Sequence, residues 1–471
     1  MKRYLVQTFG CQMNVHDSRR IEEVLEAHGY QPAEGPSSAD VIVLNTCSVR
    51  EKAEQKLRSM VGTFKPLKAL RPDLVIVVAG CVAQQEGERL LRRVPHLDVV
   101  IGPDNIVELP ALIEQLRDGA APLARTVFDT QAPSFLVASP RLPSALRPRE
   151  VTSFVTVMKG CDERCTYCIV PYTRGPERYR QADEIVREVA GLVSGGVREV
   201  TLLGQTVNSW HSQGAGEGDS EFPALLRRIA HEVPALARLR YTSPHPRHLT
   251  DALISAHADL SVLPRHVHMP VQSGSDRMLK RMLRRYTAAD YVRRVKALQA
   301  RVPDLTVSTD MIVGFPGESA EDFEATLRLV SEVGFVSLFG FKYSPRPYTP
   351  ALKLEDDVSE ELKDERLQRL FALAEQQQRA HLASCVGQRV TVLVESRDGS
   401  RPDRYAGRSD RHELVHIDAP AGHDPIGTLV EVEVAEAYNH SLRGLMQGGV
   451  HTHVPGPVPK RAKVSLPVAS A

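Results

Sequence analysis

This chain has no apolar stretch long enough to cross a bilayer. Its longest near-apolar run, Leu74 to Ala83, is about half of what a spanning helix needs. It also has no charge bias. Its 59 basic and 58 acidic residues leave a formal net charge of +1, so whole-chain charge offers no argument for a polyanionic partner. Aromatic residues are scarce at 5%, with one tryptophan. Cysteines number seven, and an odd count argues against the paired disulfides of a secreted scaffold. The start of the chain runs straight into the strand-like Tyr4–Phe9 segment, with no signal-peptide pattern. A soluble, cytoplasmic protein is therefore expected, in a compartment where thiols stay reduced.

Against that background the richest feature is Cys161-Asp162-Glu163-Arg164-Cys165-Thr166-Tyr167-Cys168, a C-x3-C-x2-C run. Thiolates at this spacing converge on one soft metal centre. A structural zinc site or an ordinary ferredoxin cluster takes four protein ligands. No fourth cysteine or histidine lies between Gly160 and Pro171. Three thiols leave one iron of a [4Fe-4S] cluster open to an exogenous ligand. That is the arrangement needed to bind S-adenosylmethionine and cleave it reductively.

Residues 1–117 alternate strand and helix, with the apolar runs Val41–Leu44 and Leu74–Val78 typical of buried parallel strands. A doubly wound α/β domain is expected there. Residues 118–146 read as a linker, rich in Pro, Ala and Ser. From 147 to 383 the alternation resumes, with strand candidates at Phe154–Met158, Glu199–Leu203, Leu239–Thr242, His266–Val271, Val307–Val313 and Val336–Tyr343. Six β/α units predict a partial (β/α)6 barrel, with reactive groups at the carboxyl ends of its strands. Cys161 to Cys168 directly follow the first of them. A connecting helix over Glu360–Leu382 leads to a small all-β module at 384–447, and residues 448–471 read as a disordered tail in which His451 and His453 reflect composition.

Three more cysteines share one context. Cys11, Cys47 and Cys81 each follow the end of a predicted parallel strand, through Gly10, Asn45-Thr46 and Ala79-Gly80 respectively. Strands of one parallel sheet share that edge, so thiols distant in sequence can meet there. Buried structural cysteines are the plain alternative, but the repeated placement favours a second three-thiol cluster. Cys385 matches no such pattern and is expected to be structural.

These residues resemble the radical-SAM methylthiotransferase family over nearly the whole chain. The resemblance is carried by Thr8-Phe9-Gly10-Cys11-Gln12-Met13-Asn14, Asn45-Thr46-Cys47-Ser48-Val49-Arg50-Glu51-Lys52-Ala53-Glu54 and Gly80-Cys81-Val82-Ala83-Gln84. Gly160 to Gly175, Leu202-Leu203-Gly204-Gln205, Pro270-Val271-Gln272-Ser273-Gly274-Ser275 and Ser308 to Gly317 extend it. The Cys47 motif is closest to the branch acting on N6-dimethylallyladenosine (i6A) in tRNA. Other branches act on threonylcarbamoyladenosine in tRNA or on a ribosomal-protein aspartate, and a non-catalytic iron–sulfur RNA-binding protein is a further alternative.

The resemblance implies several expectations. The fold is an N-terminal methylthiotransferase domain, a radical-SAM barrel and a C-terminal TRAM RNA-binding domain. One [4Fe-4S] cluster is held by Cys11, Cys47 and Cys81, and a second, SAM-coordinated one by Cys161, Cys165 and Cys168. All six cysteines are expected to be catalytic. The reaction is methylthiolation at C2 of i6A to give ms2i6A at position 37 of tRNA, with SAM as radical source and methyl donor. The anticodon loop is the partner, a flavodoxin or ferredoxin the electron donor, and the chain a monomer. By position at strand ends, Gln205, Ser243, Gln272 and Asp310 are candidate contacts to SAM or substrate, and Arg174 and Arg178 candidates for phosphate or the SAM carboxylate.

Two departures from the family pattern stand out. Tyr348 occupies a place where the family usually has glycine. The TRAM module carries seven arginines, no lysine and ten acidic residues between Ser384 and Arg443, although phosphate contacts need local positive charge.

Overall fold

The computed structural model describes residues 2–48, 51–128, 135–136, 150–212, 220–399, 401, 403–420, 422 and 424–451. Among these residues the N-terminal strands are β1 (Arg3–Phe9), β2 (Gln31–Pro32), β3 (Val41–Thr46), β4 (Val75–Gly80), β5 (Val99–Ile101) and β6 (Leu123–Arg125). They form one parallel sheet in the order β2-β1-β3-β4-β5-β6. β3 and β4 are buried along their whole length because both faces are covered. Val41, Val43, Val75 and Val77 pack with Ile21, Leu25, Leu109 and Ile113 of helices Gln12–Ala27 and Leu109–Arg117. Ile42, Leu44, Ile76 and Val78 pack with Leu57, Val61 and Leu90 of helices Glu51–Thr63 and Glu88–Arg93. The strand order switches direction between β1 and β3, where open α/β sheets bind ligands.

β6 lies within the stretch that the sequence reads as a linker. Three residues at a sheet edge show no periodicity, so the strand is invisible without its partner β5. Residues 129–134 and 137–146 of that stretch lie outside the described residues.

The central strands are β7 (Thr152–Thr156), β8 (Met158–Lys159), β9 (Arg178–Tyr179), β10 (Glu199–Leu203), β11 (Arg238–Tyr241), β12 (His266–His268), β13 (Thr306–Val313) and β14 (Ser337–Lys342). β11-β10-β7 and β12-β13-β14 form two parallel three-stranded sheets, the two halves of the expected partial barrel. Its apolar core includes Val155, Val200, Leu202, Leu239, Val307 and Met311. The antiparallel pair β8/β9 pinches together the two ends of the cysteine loop. Sequence periodicity does not predict this two-residue ribbon.

Helix Glu360–Ser384 leads to β15 (Arg389–Arg397), β16 (Arg404–Ser409), β17 (Leu414–Asp418), β18 (Leu429–Ala437) and β19 (Leu442–His451). They close into a barrel, β15-β16-β17-β19-β18. β19 runs into the segment expected to be a tail; 452–471, with His453, lies outside the described residues. Cys385 is buried in this module's core, as expected of a structural thiol. The turn between β16 and β17 docks onto the first residues of the central strands. Arg238 donates to the carbonyls of Arg408 (2.6 Å) and Thr391 (2.9 Å) and pairs with Asp410 (2.5 Å). His412 stacks on His266 at 4.9 Å. The small barrel thus caps the end of the central barrel opposite the cysteine loop. Among the described residues no helix is long and apolar enough to cross a membrane.

Candidate active site

The register of the N-terminal sheet lines up its three thiols. Thr46 pairs with both Phe9 and Gly80, so the chain leaves β1, β3 and β4 at one level and delivers Cys11, Cys47 and Cys81 to one edge. Gly80 makes its turn at φ +91°, and a Cβ there would sit 2.3 Å from Asn45 Oδ1. Beneath the thiols two fully buried amides lock together. Asn14 Nδ2 donates to Asn45 Oδ1 (3.2 Å), and Asn45 Nδ2 donates to Asn14 O and Ser18 Oγ (both 2.9 Å). The Cys11 thiol donates to Asn14 Oδ1 at 3.4 Å. A hydrogen bond from Cys47, against the opposing effect of burial and aided by Arg174, lowers the Cys11 thiol to about 6. Burial, the dominant effect, raises Cys81.

The other three thiols lie on the loop between β8 and β9. The Cys161 amide donates to Gly175 O (3.1 Å) and the Cys168 amide to Cys165 O (3.0 Å). Cys161 Sγ and Thr206 Oγ1 are 3.1 Å apart. Burial pushes the Cys161 thiol up to about 11 and Cys168 higher still, the neighbouring thiols adding to it. As free thiols Cys161 and Cys168 stay protonated, and an iron centre that displaces the protons is what lets buried sulfur carry charge. The donor set, three soft sulfurs with a buried cationic neighbour, fits an iron–sulfur cluster in each place.

That cationic neighbour recurs. Arg174 Nε donates to Cys81 Sγ at 3.3 Å, and Arg284 Nη1 donates to Cys165 Sγ at 3.5 Å. Arg174 belongs to helix Val170–Arg174, just past Cys168, yet it reaches into the N-terminal domain. Its Nη2 donates to Asp17 Oδ2 at 2.5 Å, and the arginine is 4% exposed. Arg178 is also buried, against Asp104. Of the two expectations for these arginines, RNA phosphate or the SAM carboxylate, burial removes the first. A cation a few residues past a cysteine in sequence cannot be assigned to a partner domain before the domains are packed.

The four polar candidates divide. Both side-chain heteroatoms of Gln205 are buried without a protein partner, as suits a ligand-binding amide. Ser243 and Gln272 have φ of +60° and +77°, a left-handed geometry that is costly for such residues and clusters at functional sites. Asp310 shares the barrel's inner face with Phe339, its register partner, and lies 3.5 Å from His268 Nε2. His268 Nδ1 is 2.9 Å from Ser308 Oγ, which is 3.0 Å from His266 Nε2. A polar chain therefore climbs the barrel interior from His412, at the docked turn, to Asp310.

Several site residues escape sequence reasoning. Glu163 lies inside the cysteine run but holds His248 Nε2 at 2.8 Å, with His245 and Arg247 beside it. Asn14 and Asn45 stand within the motifs, next to the cysteines, and that adjacency was the available signal. Arg284 and Thr206 carried none, because their partners lie far away in sequence.

Taken with the fold, the open-sided barrel with three thiols after its first strand defines a radical-SAM enzyme. Family models agree: uncharacterized protein family UPF0004 over residues 3–102, the radical SAM superfamily over 155–330 and the TRAM domain over 383–446. A relative from Sorangium cellulosum is 59% identical over 100% of this chain and 99% of its own length. Another, from Jannaschia sp., is 47% identical over 94% of each chain. Both are named tRNA-2-methylthio-N(6)-dimethylallyladenosine synthase. The radical S-adenosylmethionine methyltransferase TsrM from Kitasatospora setae matches in fold, with TM-score 0.52 and 15% identity over 86% of this chain and 81% of its own. This chain belongs to the tRNA-2-methylthio-N(6)-dimethylallyladenosine synthase family. Membership in the radical SAM superfamily implies a [4Fe-4S] cluster and SAM.

Proposed function

We propose that this enzyme methylthiolates C2 of N6-dimethylallyladenosine at position 37 of tRNA, giving ms2i6A. The observation that carries the reading is the bond from Arg174, on the helix just past Cys168, to Cys81. It supports placing two three-thiol sites against each other. Cys161, Cys165 and Cys168 would hold one [4Fe-4S] cluster and Cys11, Cys47 and Cys81 a second.

C2–H of adenine is neither acidic nor hydridic, so no side chain of this protein can remove it as a proton or hydride. When bound, the clusters and SAM supply the radical, methyl and sulfur chemistry that proteins lack. The chain's own task is placement. The buried thiols give up their protons to hold metal. Arg174 and Arg284 offset the charge on sulfur. Gln205, Ser243, Gln272 and Asp310 orient SAM or the base at the carboxyl ends of the barrel strands. A target adenine must be unstacked to enter, as in an anticodon loop. The docked TRAM module supplies a further surface for the same tRNA, and a flavodoxin or ferredoxin supplies electrons to a monomeric, cytoplasmic enzyme.

The test is anaerobic incubation of reconstituted protein with SAM, reductant and i6A-containing tRNA. Mass spectrometry should find ms2i6A, and its absence would sink the substrate assignment. Metal analysis should find about eight irons per chain, the content of two clusters; about four would remove the second cluster.

A further inference from the structure

The segment after β14, Ser344 to Lys353, is a strap that touches the Cys161–Cys168 loop and helices that follow Cys47 and Cys81. Arg346 pairs with Glu54 (3.5 Å) on helix Glu51–Thr63, which begins just past Cys47. The Ala351 amide donates to Thr166 O (2.9 Å), between Cys165 and Cys168. Between these anchors Tyr348 meets Tyr172, on the helix following Cys168, with ring centroids 6.0 Å apart. The Arg89 guanidinium lies 5.9 Å from the Tyr348 ring and donates to its hydroxyl. Arg89 stands on helix Glu88–Arg93, next after the helix that starts at Cys81.

Three features of this cluster go together. Tyr348 is 50% exposed and Tyr172 39%, so two aromatic faces are held in water at the mouth of the site. Tyr348 has φ +67°, a conformation that disfavours a bulky residue and survives where something over-determines it. A guanidinium flanks the rings, adding positive charge and a second planar stacking surface. Aromatic faces beside an arginine are the chemistry that binds single-stranded nucleic acid, because every base has a π-face and every linkage a negative charge.

We propose that Tyr348, with Tyr172 and Arg89, is a stacking platform for an unpaired base neighbouring the adenosine under modification. This rests on the tRNA reading above. By stacking the neighbour at the rim, the platform would help hold the target base unstacked and facing the barrel. The cluster joins the helix following Cys168 to the helix after the Cys81 helix, so the bound RNA would bridge both thiol sites.

Two variants of the full-length, reconstituted protein test it. Tyr348→Gly removes the ring and relieves the positive φ, while Tyr348→Phe keeps the ring and loses the hydroxyl tie to Arg89. Equal iron content and melting midpoints establish that both fold. With an i6A-containing anticodon stem-loop, Tyr348→Gly should raise Kd, by fluorescence anisotropy, and KM about ten-fold. RNA-independent 5'-deoxyadenosine release, in which no base is bound, should stay within about two-fold of the parent. Tyr348→Phe should match the parent, and a stem-loop with abasic sites flanking the target should bind parent and Tyr348→Gly equally. An unchanged Kd in Tyr348→Gly overturns the platform. So does a Tyr348→Phe defect as large as that of Tyr348→Gly, which would make the tyrosine a latch to Arg89. A parent enzyme that forms no ms2i6A overturns the tRNA reading instead.

Discussion

Arg174 follows the C-x3-C-x2-C run by a single short helix, yet its guanidinium is committed to Asp17 and Cys81 of another domain. Burial alone would raise the Asp17 carboxyl; the charge of Arg174 and the His16 hydrogen bond overcome it and hold Asp17 at about 2. Removing one partner of such a buried pair leaves the other uncompensated. Arg174→Met should therefore cost about 3 kcal/mol of apo-protein stability in urea unfolding. Adding Asp17→Asn should restore part of that loss, and strict additivity of the two would refute the pairing. A second residue sets a pH response. Burial lowers His257 to about 4, where its Nε2 lies 2.7 Å from Tyr241 Oη. Because the folded value lies below the ordinary 6.5, its contribution is complete above pH 6.5 and is lost as pH falls toward 4. His257 alone should lower apo-protein stability across that window by roughly 1 kcal/mol per pH unit, added to the like-signed contributions of buried His16, His245, His266 and His412. His257→Leu should flatten this part of the profile, and a slope equal to the parent's would exclude the histidine as its source.

At the scale of elements, what decides the site is where strands end. The edge carrying Cys11, Cys47 and Cys81 was legible because β3 and β4, buried on both faces, are short apolar runs, β1 is a β-branched and aromatic run, and each stops just before a cysteine. The β8/β9 ribbon was not, since two-residue strands carry no period. That ribbon closes the cysteine loop through Gly160, which has φ +79° and where a Cβ would fall 1.8 Å from Pro176 O. The contact is with backbone, which cannot step aside. Gly160→Ala should therefore displace Cys161 from its neighbours and halve the iron bound, leaving about four irons on the N-terminal thiols. Full iron loading with normal SAM cleavage would show that the ribbon is not needed.

At the scale of the whole molecule, part of the TRAM module's acidity has a structural use. Asp410 pairs with Arg238, Glu413 takes His381 and Arg411, and Asp418 takes Arg404 and Arg443. Asp410, Glu413 and Asp418 are thus committed to docking and internal pairing. The module caps the far end of the barrel, so an RNA touching both it and the cysteine loop must lie along the barrel. β13 alone, at eight residues, spans about 26 Å. Arg238→Met should release the cap, because it removes the two carbonyl contacts and the Asp410 pair together. Small-angle scattering should show a larger radius of gyration, and KM for tRNA should rise several-fold while RNA-independent SAM cleavage persists. An unchanged scattering profile would show that docking does not depend on this arginine.

The same division runs through all three scales. The sequence by itself determined the three domains' classes and the likeness to a family, and offered both cysteine trios as candidates, because strand periodicity and motif spacing are local in the chain. It left open which cations face which anions. Only the tertiary structure decided that Arg174 serves Cys81 and Asp17, that Asp410 docks on Arg238, and that Tyr348 meets Arg89 and Tyr172. Charge pairing and ring stacking depend on distance in space, and no residue's neighbours along the chain reveal which surface packing will bring against it.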